Sequence, residues 1–358
     1  MSSKKIETQF EVIRTFVAIL LAMTLAFLII LGISKQPINA ITTLFTGPFS
    51  SIRRFGNVIE MSIPFIFTGL SVCVMFQAKQ FNMISEGAFF IGGVAASFIA
   101  VKVILPMGIH PIVAILFGGL IGALAGFIPG ILKTKWNANE LVSSLMLNYV
   151  CLYLGIYVIN NIIRDPNSGF MASFIFNKTA IFQKIIPGTR IHAGTFVAIL
   201  FIILTYLFMY RSKWGYALRM TGLNENFAKY SGINTKKVIL YSQLLGGFIA
   251  GLGGGTEVLG MYQRFQWQSL PGYGFDGIIV AILARNNPIL VPVAAVFLAY
   301  LRVGADIMAR MTDVPSEVIS VIQAIIIILI AANRFLSKWK HKKIVKHSQE
   351  QLAVKEGK

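Results

Sequence analysis

The stretch Arg211–Lys237, RSKWGYALRMTGLNENFAKYSGINTKK, divides a chain that is otherwise mostly hydrocarbon. It carries Arg211, Lys213, Arg219, Lys229, Lys236 and Lys237 against the single acid Glu225. A short loop this rich in Lys and Arg stays in the cytoplasm by the positive-inside rule, which orients every apolar segment on either side of it. Within the loop, Asn224 can cap a short helix whose first turn carries Glu225, where the helix dipole favours an anion, and Gly232 supplies a left-handed stop. Such a helix has about two turns, too few to be stable alone, and no core of its own. It is therefore either a connector lying on the membrane surface or an element that docks against another protein.

Composition sets the class. Of 358 residues, 56% are hydrophobic and 13% charged, with mean hydropathy +0.72. Soluble domains carry about 25% charged residues, so the chain is an integral membrane protein. The net charge of +18 is spread over short loops and tails rather than over one aromatic-bearing face, which excludes nucleic acid as a partner and fits contact with anionic membrane lipid. Cys73 and Cys151 lie inside apolar runs and imply neither a metal site nor a disulfide framework. His110, His192, His341 and His347 form no cluster and are expected to be solvated.

Outward from the central loop, apolar stretches cover 58–77, 86–105, 111–132, 140–160 and 194–210 before it, and 238–260, 271–284, 288–309 and 315–334 after it. The run 15–33, preceded by Lys4, Lys5 and Arg14, is long enough to span and lacks a cleavage pattern, so it is expected to remain as the first of ten spans. The tail RFLSKWKHKKIVK is basic and cytoplasmic like the central loop, so an even number of crossings separates the two. The short segment 271–284 must therefore cross as well, as a broken helix shielded from lipid by its neighbours. The layout puts both termini in the cytoplasm and segments 35–57 and 161–193 outside, the second long enough for a surface helix or a partner contact. The expected fold is an all-α polytopic bundle forming one transmembrane domain over 1–358, with a cytoplasmic loop at 211–237 and a basic tail at 335–358.

A weak internal repeat runs through it. NVIEMSIPF, NMISEGAFFIGGVA and PIVAILFGG parallel KVILYSQLL, GYGFDGIIVAILA and PILVPVAAV, and the counterparts start on opposite sides of the membrane. An inverted repeat of this kind accompanies a transport pathway between two halves.

Several constellations carry polar chemistry. Gly247, Gly251 and Gly255 recur every four residues, making a smooth stripe for close helix packing or, less readily, a ligand-lining face. Arg302, Asp306 and Arg310 share one helix face, where Arg302 is expected to pair with Asp306 as a clamp near the extracellular surface or as part of a pathway. Glu86 and Asp276 each precede a glycine at the start of an apolar helix, where a carboxylate complements the helix N-terminus. Ser143, Ser144 and Asn148 share a face in ANELVSSLMLNYV, on the substrate route or as glue between helices. Glu257, near the outer end of its segment, is a second pathway candidate, and Asn82 stands just ahead of Glu86. No paired carboxylates at catalytic spacing, Ser-His-Asp set, HExxH or GxxxxGK[ST] motif occurs, so neither catalysis nor an ATPase site of its own is expected.

The loop segment GLNENFAKYSGIN resembles the cytoplasmic coupling loop of ABC-importer permeases of the branched-chain amino acid, ribose and nucleoside group. Gly222, Asn224, Ala228, Gly232 and Ile233 match its usual form, while Glu225 stands for a proline and Phe227 for an alanine. Asn82, Glu86 and Gly87 match the group's Asn-Ile-Gly-x-Glu-Gly; Gly274, Phe275, Asp276 and Gly277 match its Gly-x-Gly-Phe-Asp-Gly. Glu140, Asn148 and Tyr149 resemble a run found in the nucleoside and simple-sugar branch. The resemblance covers roughly 58–334. It implies a permease subunit of the cell membrane moving nucleosides inward by alternating access, with simple sugars as the alternative cargo. It also implies no cofactor in this chain, with ATP and Mg used by a cytoplasmic ATP-binding subunit, and as further partners a second permease and an extracellular lipid-anchored binding protein. Residues 222, 224, 227, 228, 232 and 233 would couple to the ATPase. An ion-coupled secondary transporter is the rival from another class, having inverted repeats and intramembrane carboxylates but needing no coupling loop.

Overall fold

The computed structural model describes residues 34–315 throughout and scattered positions from 21 to 32 and from 318 to 325. The chain forms two compact units, 1–48 with 304–358, and 49–303. In the first, α1 (Pro37–Thr46) and a 3-10 turn (Gly47–Phe49, which begins in this unit) occupy what was expected to be a loop. Gly304 packs against the Leu44 carbonyl, and Asp313 accepts from the Ser34 hydroxyl at 2.6 Å and the Lys35 N–H at 2.7 Å. Those two donors hold the Asp313 carboxyl below its usual range.

The second unit holds α2 (Ile52–Gln77), α3 (Ser85–Lys102), α4 (Ile109–Trp136), α5 (Glu140–Ile162), α6 (Gly194–Arg211), α7 (Lys213–Leu223), α8 (Glu225–Tyr230), α9 (Thr235–Met261), α10 (Tyr273–Leu283) and the first part of α11 (Val291–Met311). Among the described residues seven helices, α2 to α6, α9 and α11, are long and apolar enough to cross a membrane. They coincide with seven of the expected spans; the first and tenth fall mainly outside the described residues. Side chains set several helix ends. Ser51, Asn139 and Asn234 accept backbone N–H groups as N-caps of α2, α5 and α9, and Asn137 closes α4 in the left-handed conformation.

The core is α9 against α2, α3 and α4. Gly118, Gly122 and Gly126 of α4 face Gly247 and Gly251 of α9; a Cβ on Gly122, Gly126, Gly247 or Gly251 would run into a backbone carbonyl of the opposite helix, and one on Gly118 into the Gly92 carbonyl of α3. Gly255, the third member of the stripe, meets Ala96 and Ile115 instead. The stripe is a packing surface, which lets two backbones approach closely where no hydrophobic effect drives helices together.

The short helix α10 has 11 residues, about 16 Å at 1.5 Å per residue, or half of a hydrocarbon core of about 30 Å. It lies along the second half of α2 and runs in the same direction: Tyr273 packs on Phe65 with ring centroids 5.8 Å apart, Gly277 abuts Thr68, and Val280 abuts Gly69. Phe65 stands 13 residues into α2, about 20 Å along it. Residues 262–272 thus run without helix from the end of α9 to the middle of α2, and α10 continues along the second half of α2.

Irregular backbone within a membrane survives only when protein satisfies its polar groups. Here the 161–193 segment does so. The N–H groups of Ser173, Phe176 and Phe182 donate to the carbonyls of Phe265, Gln263 and Leu259 at 2.9 to 3.0 Å, the Phe265 N–H donates to Ser173 Oγ at 2.9 Å, and Arg264 pairs with Asp165 at 3.3 Å. This segment forms no surface helix; it is strapped to the chain that leaves α9.

Two further expectations are corrected. His110 and His192 are buried rather than solvated. His110 bonds Thr179 Oγ1 at 2.9 Å and the Ile99 carbonyl at 3.3 Å. His192 lies under Phe182, stacked at 6.0 Å, and its Nδ1 accepts from the Gly194 N–H at 3.2 Å. Burial pushes the His192 imidazole down to about 4. His341 and His347 lie outside the described residues.

Candidate functional site

Two places bring the sequence candidates together. At the first, the start of α3 meets the start of α10. Glu86, in the first turn of α3, accepts the N–H groups of Gly272 at 2.6 Å and Gly274 at 2.5 Å, with Phe275 at 3.4 Å. It caps the opposite half-helix, not its own as the sequence led us to expect. The glycines follow from this approach. Gly272 has φ +86°, a Cβ on Gly274 would collide with the backbone of Glu86, and one on Gly277 would meet Thr68. Asp276, likewise expected as a cap, pairs instead with Arg302 at 2.6 Å, whose guanidinium lies 5.4 Å from the centre of the Phe65 ring. The Arg302–Asp306 clamp is therefore wrong: Arg302 reaches across to α10 beside the middle of α2 rather than along its own helix near the outer surface.

The lead into α3 is held by the other candidates. Asn82 donates to Gln243 Oε1 at 2.6 Å and accepts the Ile84 N–H at 2.8 Å. Ser85 bonds Ser71 at 2.8 Å. Ser144 accepts from the Met83 N–H at 2.9 Å, and Asn148 accepts from the Gly87 N–H at 2.9 Å while donating to the Met83 carbonyl at 3.0 Å. Asn82, Glu86, Ser144, Asn148 and Asp276 are all buried. Their bonds pin α5, α9 and α10 to one turn and α11 to α10, so in this arrangement Ser144 and Asn148 join helices. Glu257 stands apart, in a second buried group with Glu60 and Tyr273.

The second place is the polar segment after α6. Ser212 caps α7 through the Gly215 N–H at 3.0 Å, so Lys213–Leu223 is a helix where a loop is expected from the sequence. Gly222 ends α7 directly against the Gln77 carbonyl of α2, where any side chain would collide. Asn224 accepts the Phe227 N–H at 3.1 Å and starts α8. Glu225 pairs with Lys229 at 2.9 Å, and Gly232, at φ +81°, lets Ile233 N–H return to the Ala228 carbonyl at 3.0 Å. Ala228 faces inward and is buried, whereas Leu223, Phe227 and Tyr230 are 71%, 55% and 93% exposed. A short helix capped at both ends thus presents Phe227 and Tyr230 outward, beside Leu223 at the end of α7.

A multi-helix membrane domain in which a half-length helix starts beside the middle of a longer one, with its N-terminus turned on a buried carboxyl, is the architecture of a membrane transporter. Comparison with known proteins makes this specific. Residues 54–331 match the family described as branched-chain amino acid transport system / permease component, and the chain belongs to that family. It is 32% identical over 320 residues to the guanosine ABC transporter permease protein NupP of Bacillus subtilis, covering 88% of this chain and 92% of that one. It is 29% identical to the nucleoside ABC transporter permease protein NupB of Lactococcus lactis, covering 90% and 91%. It is also 29% identical to the glucose ABC transporter permease protein TsgB13 of Haloferax volcanii, covering 90% and 87%.

Proposed function

We propose that this chain is the membrane-spanning subunit of an ATP-driven importer that carries nucleosides into the cell. The observation that carries the proposal is α8, capped by Asn224 and Gly232 and buried on its Ala228 side, with Phe227 and Tyr230, and Leu223 at the end of α7, offered to a partner. In this reading α7 and α8 face the cytoplasm, as the basic charge of 211–237 favours, and receive an ATP-binding subunit that supplies the nucleotide site. Gly222 lies against the Gln77 carbonyl, so a displacement of α8 passes through α7 to the end of α2. The helix α2 in turn carries α10 along its second half. Closure of the ATPase around ATP then tilts the α2–α10 pair, and the difference in ATP affinity between the two conformations drives the change in access. A second permease and an external binding protein complete the assembly.

Nucleosides are favoured as cargo because the names of two relatives matching nearly the whole chain, NupP and NupB, state nucleoside transport. A sugar is the second reading, favoured by the glucose permease at similar identity and coverage. The test is purification of the tagged chain in mild detergent, identification of co-purifying subunits, and uptake of labelled uridine, guanosine and glucose after reconstitution. ATP-dependent nucleoside uptake by a complex containing an ATP-binding subunit is the expected result. Purification of a lone, stable chain whose uptake ignores ATP would contradict it.

A further inference from the structure

Glu257 has no structural task that explains it. It is 1% exposed, one turn from the end of α9, and its Oε2 has no hydrogen-bond partner among the described residues. The Tyr273 hydroxyl bonds the same carboxyl, and Glu60 of α2, 5% exposed, lies close enough to act on it electrostatically. An acidic side chain within a membrane span is costly, and two that face one another without a full set of donors are costlier. By contrast, Glu86 accepts two backbone N–H groups at close range and Asp276 is paired with the Arg302 guanidinium. Arg190, from the strapped segment, approaches Glu60 rather than Glu257.

Tyr273, which bonds the carboxyl, belongs to an aromatic cluster. Trp267, on the chain that leaves α9, donates a side-chain hydrogen bond to Tyr262 and packs edge-on to it at 5.9 Å. Its indole stacks on Phe89 at 5.8 Å and is only partly exposed. Phe89 also contacts Tyr273 at 5.4 Å, which joins the aromatic group to the carboxyl. That chain is held by hydrogen bonds to the 161–193 segment, so these side chains are preorganised.

We infer that Glu257 and Trp267 form a subsite for the vicinal diol and the flat base of a nucleoside, between α2, α9 and residues 262–272. A diol brings an O–H donor to the carboxyl oxygen that has no partner, and a base brings a face that stacks on an indole. Glu60 and Tyr273 orient the carboxyl. Both carboxyls are covered in the present arrangement, so the subsite opens when α2 and α10 tilt. The inference rests on the nucleoside reading above and adds which groups recognise the cargo within the membrane domain.

The test uses the complete assembly. Equilibrium binding of tritiated uridine, 2′,3′-dideoxyuridine and ribose to the detergent-purified complex without binding protein is measured beside ATP-driven uridine uptake in proteoliposomes. Uridine should bind at least tenfold more tightly than its dideoxy counterpart. Glu257→Gln should weaken uridine about tenfold and leave dideoxyuridine within twofold, removing the preference. Tyr273→Phe, which keeps the ring and so guards against misfolding, should weaken uridine about threefold. Equal losses for both ligands, or none, in a Glu257→Gln complex that still imports with ATP would overturn the subsite and leave the importer assignment standing. Ribose binding as tightly as uridine would assign the diol to a free sugar and overturn base recognition. A wild-type complex that imports glucose and ignores uridine would overturn both readings.

Discussion

Replacing Glu86 perturbs the joint between α3 and α10 more directly than any other change. Its carboxyl takes the Gly272 and Gly274 N–H groups at 2.6 and 2.5 Å at the open end of a helix. A hydrogen bond to a charged acceptor contributes about 1.5–3 kcal/mol, and no water replaces it in this buried joint, so Glu86→Ala should cost about 3–6 kcal/mol. Glu86→Gln keeps one acceptor and turns an amide N–H₂ toward the other donor, which should cost roughly half as much. With about 2 °C per kcal/mol, at the low end for large domains, the thermal midpoint in detergent should fall by about 5 °C for Gln and about 10 °C for Ala. The assay is fluorescence-detected size-exclusion after heating, with wild type in parallel. An unchanged midpoint for Glu86→Ala would refute the claim that this carboxyl positions α10.

Two further outcomes are expected. Asp276→Asn alone should destabilise by about 3–5 kcal/mol by stranding Arg302 in the interior, whereas Asp276→Asn combined with Arg302→Met should recover most of the loss; additive costs in the thermal midpoint would show that the pair is not coupled. His192 sits near 4 in the folded protein against 6.5 for a free imidazole, so the unfolded form binds the extra proton between those values. The docking of 161–193 should be full above pH 6.5 and weaken as pH falls toward 4. Amide exchange of that segment should therefore rise between pH 7.5 and 4.5 after correction for intrinsic rates, and pH-independent protection would contradict this.

The spans were legible because apolar length survives any packing: the expected 194–210 and observed Gly194–Arg211 differ by one residue. The α8 caps were legible because Asn224 and Gly232 act within a few residues of themselves. What the sequence hid is contact at long range. Glu86 reaches Gly272, 186 residues away, and nothing local distinguishes that from capping its own helix. Arg302 had an acid four residues along its own helix and bonds a different one across the bundle. The helix α7 was missed because Lys213, Arg219 and the glycines at 215 and 222 read as loop, although Gly222 is there for the carbonyl of Gln77. Backbone pairing between 163–182 and 259–265 leaves no side-chain signature, so the strap was invisible, as was the burial of His192 beneath it.

The most direct measurement is ATP-driven uridine uptake by the reconstituted complex carrying Phe227→Asp and Tyr230→Asp. Both side chains are exposed, unlike Ala228, which is fully buried and whose replacement would damage α8 itself. If α8 is where the ATP-binding subunit docks, the double variant inserts and purifies like wild type, loses that subunit, and takes up less than a tenth of the wild-type uridine. Wild-type uptake with the subunit still bound would contradict coupling through this helix.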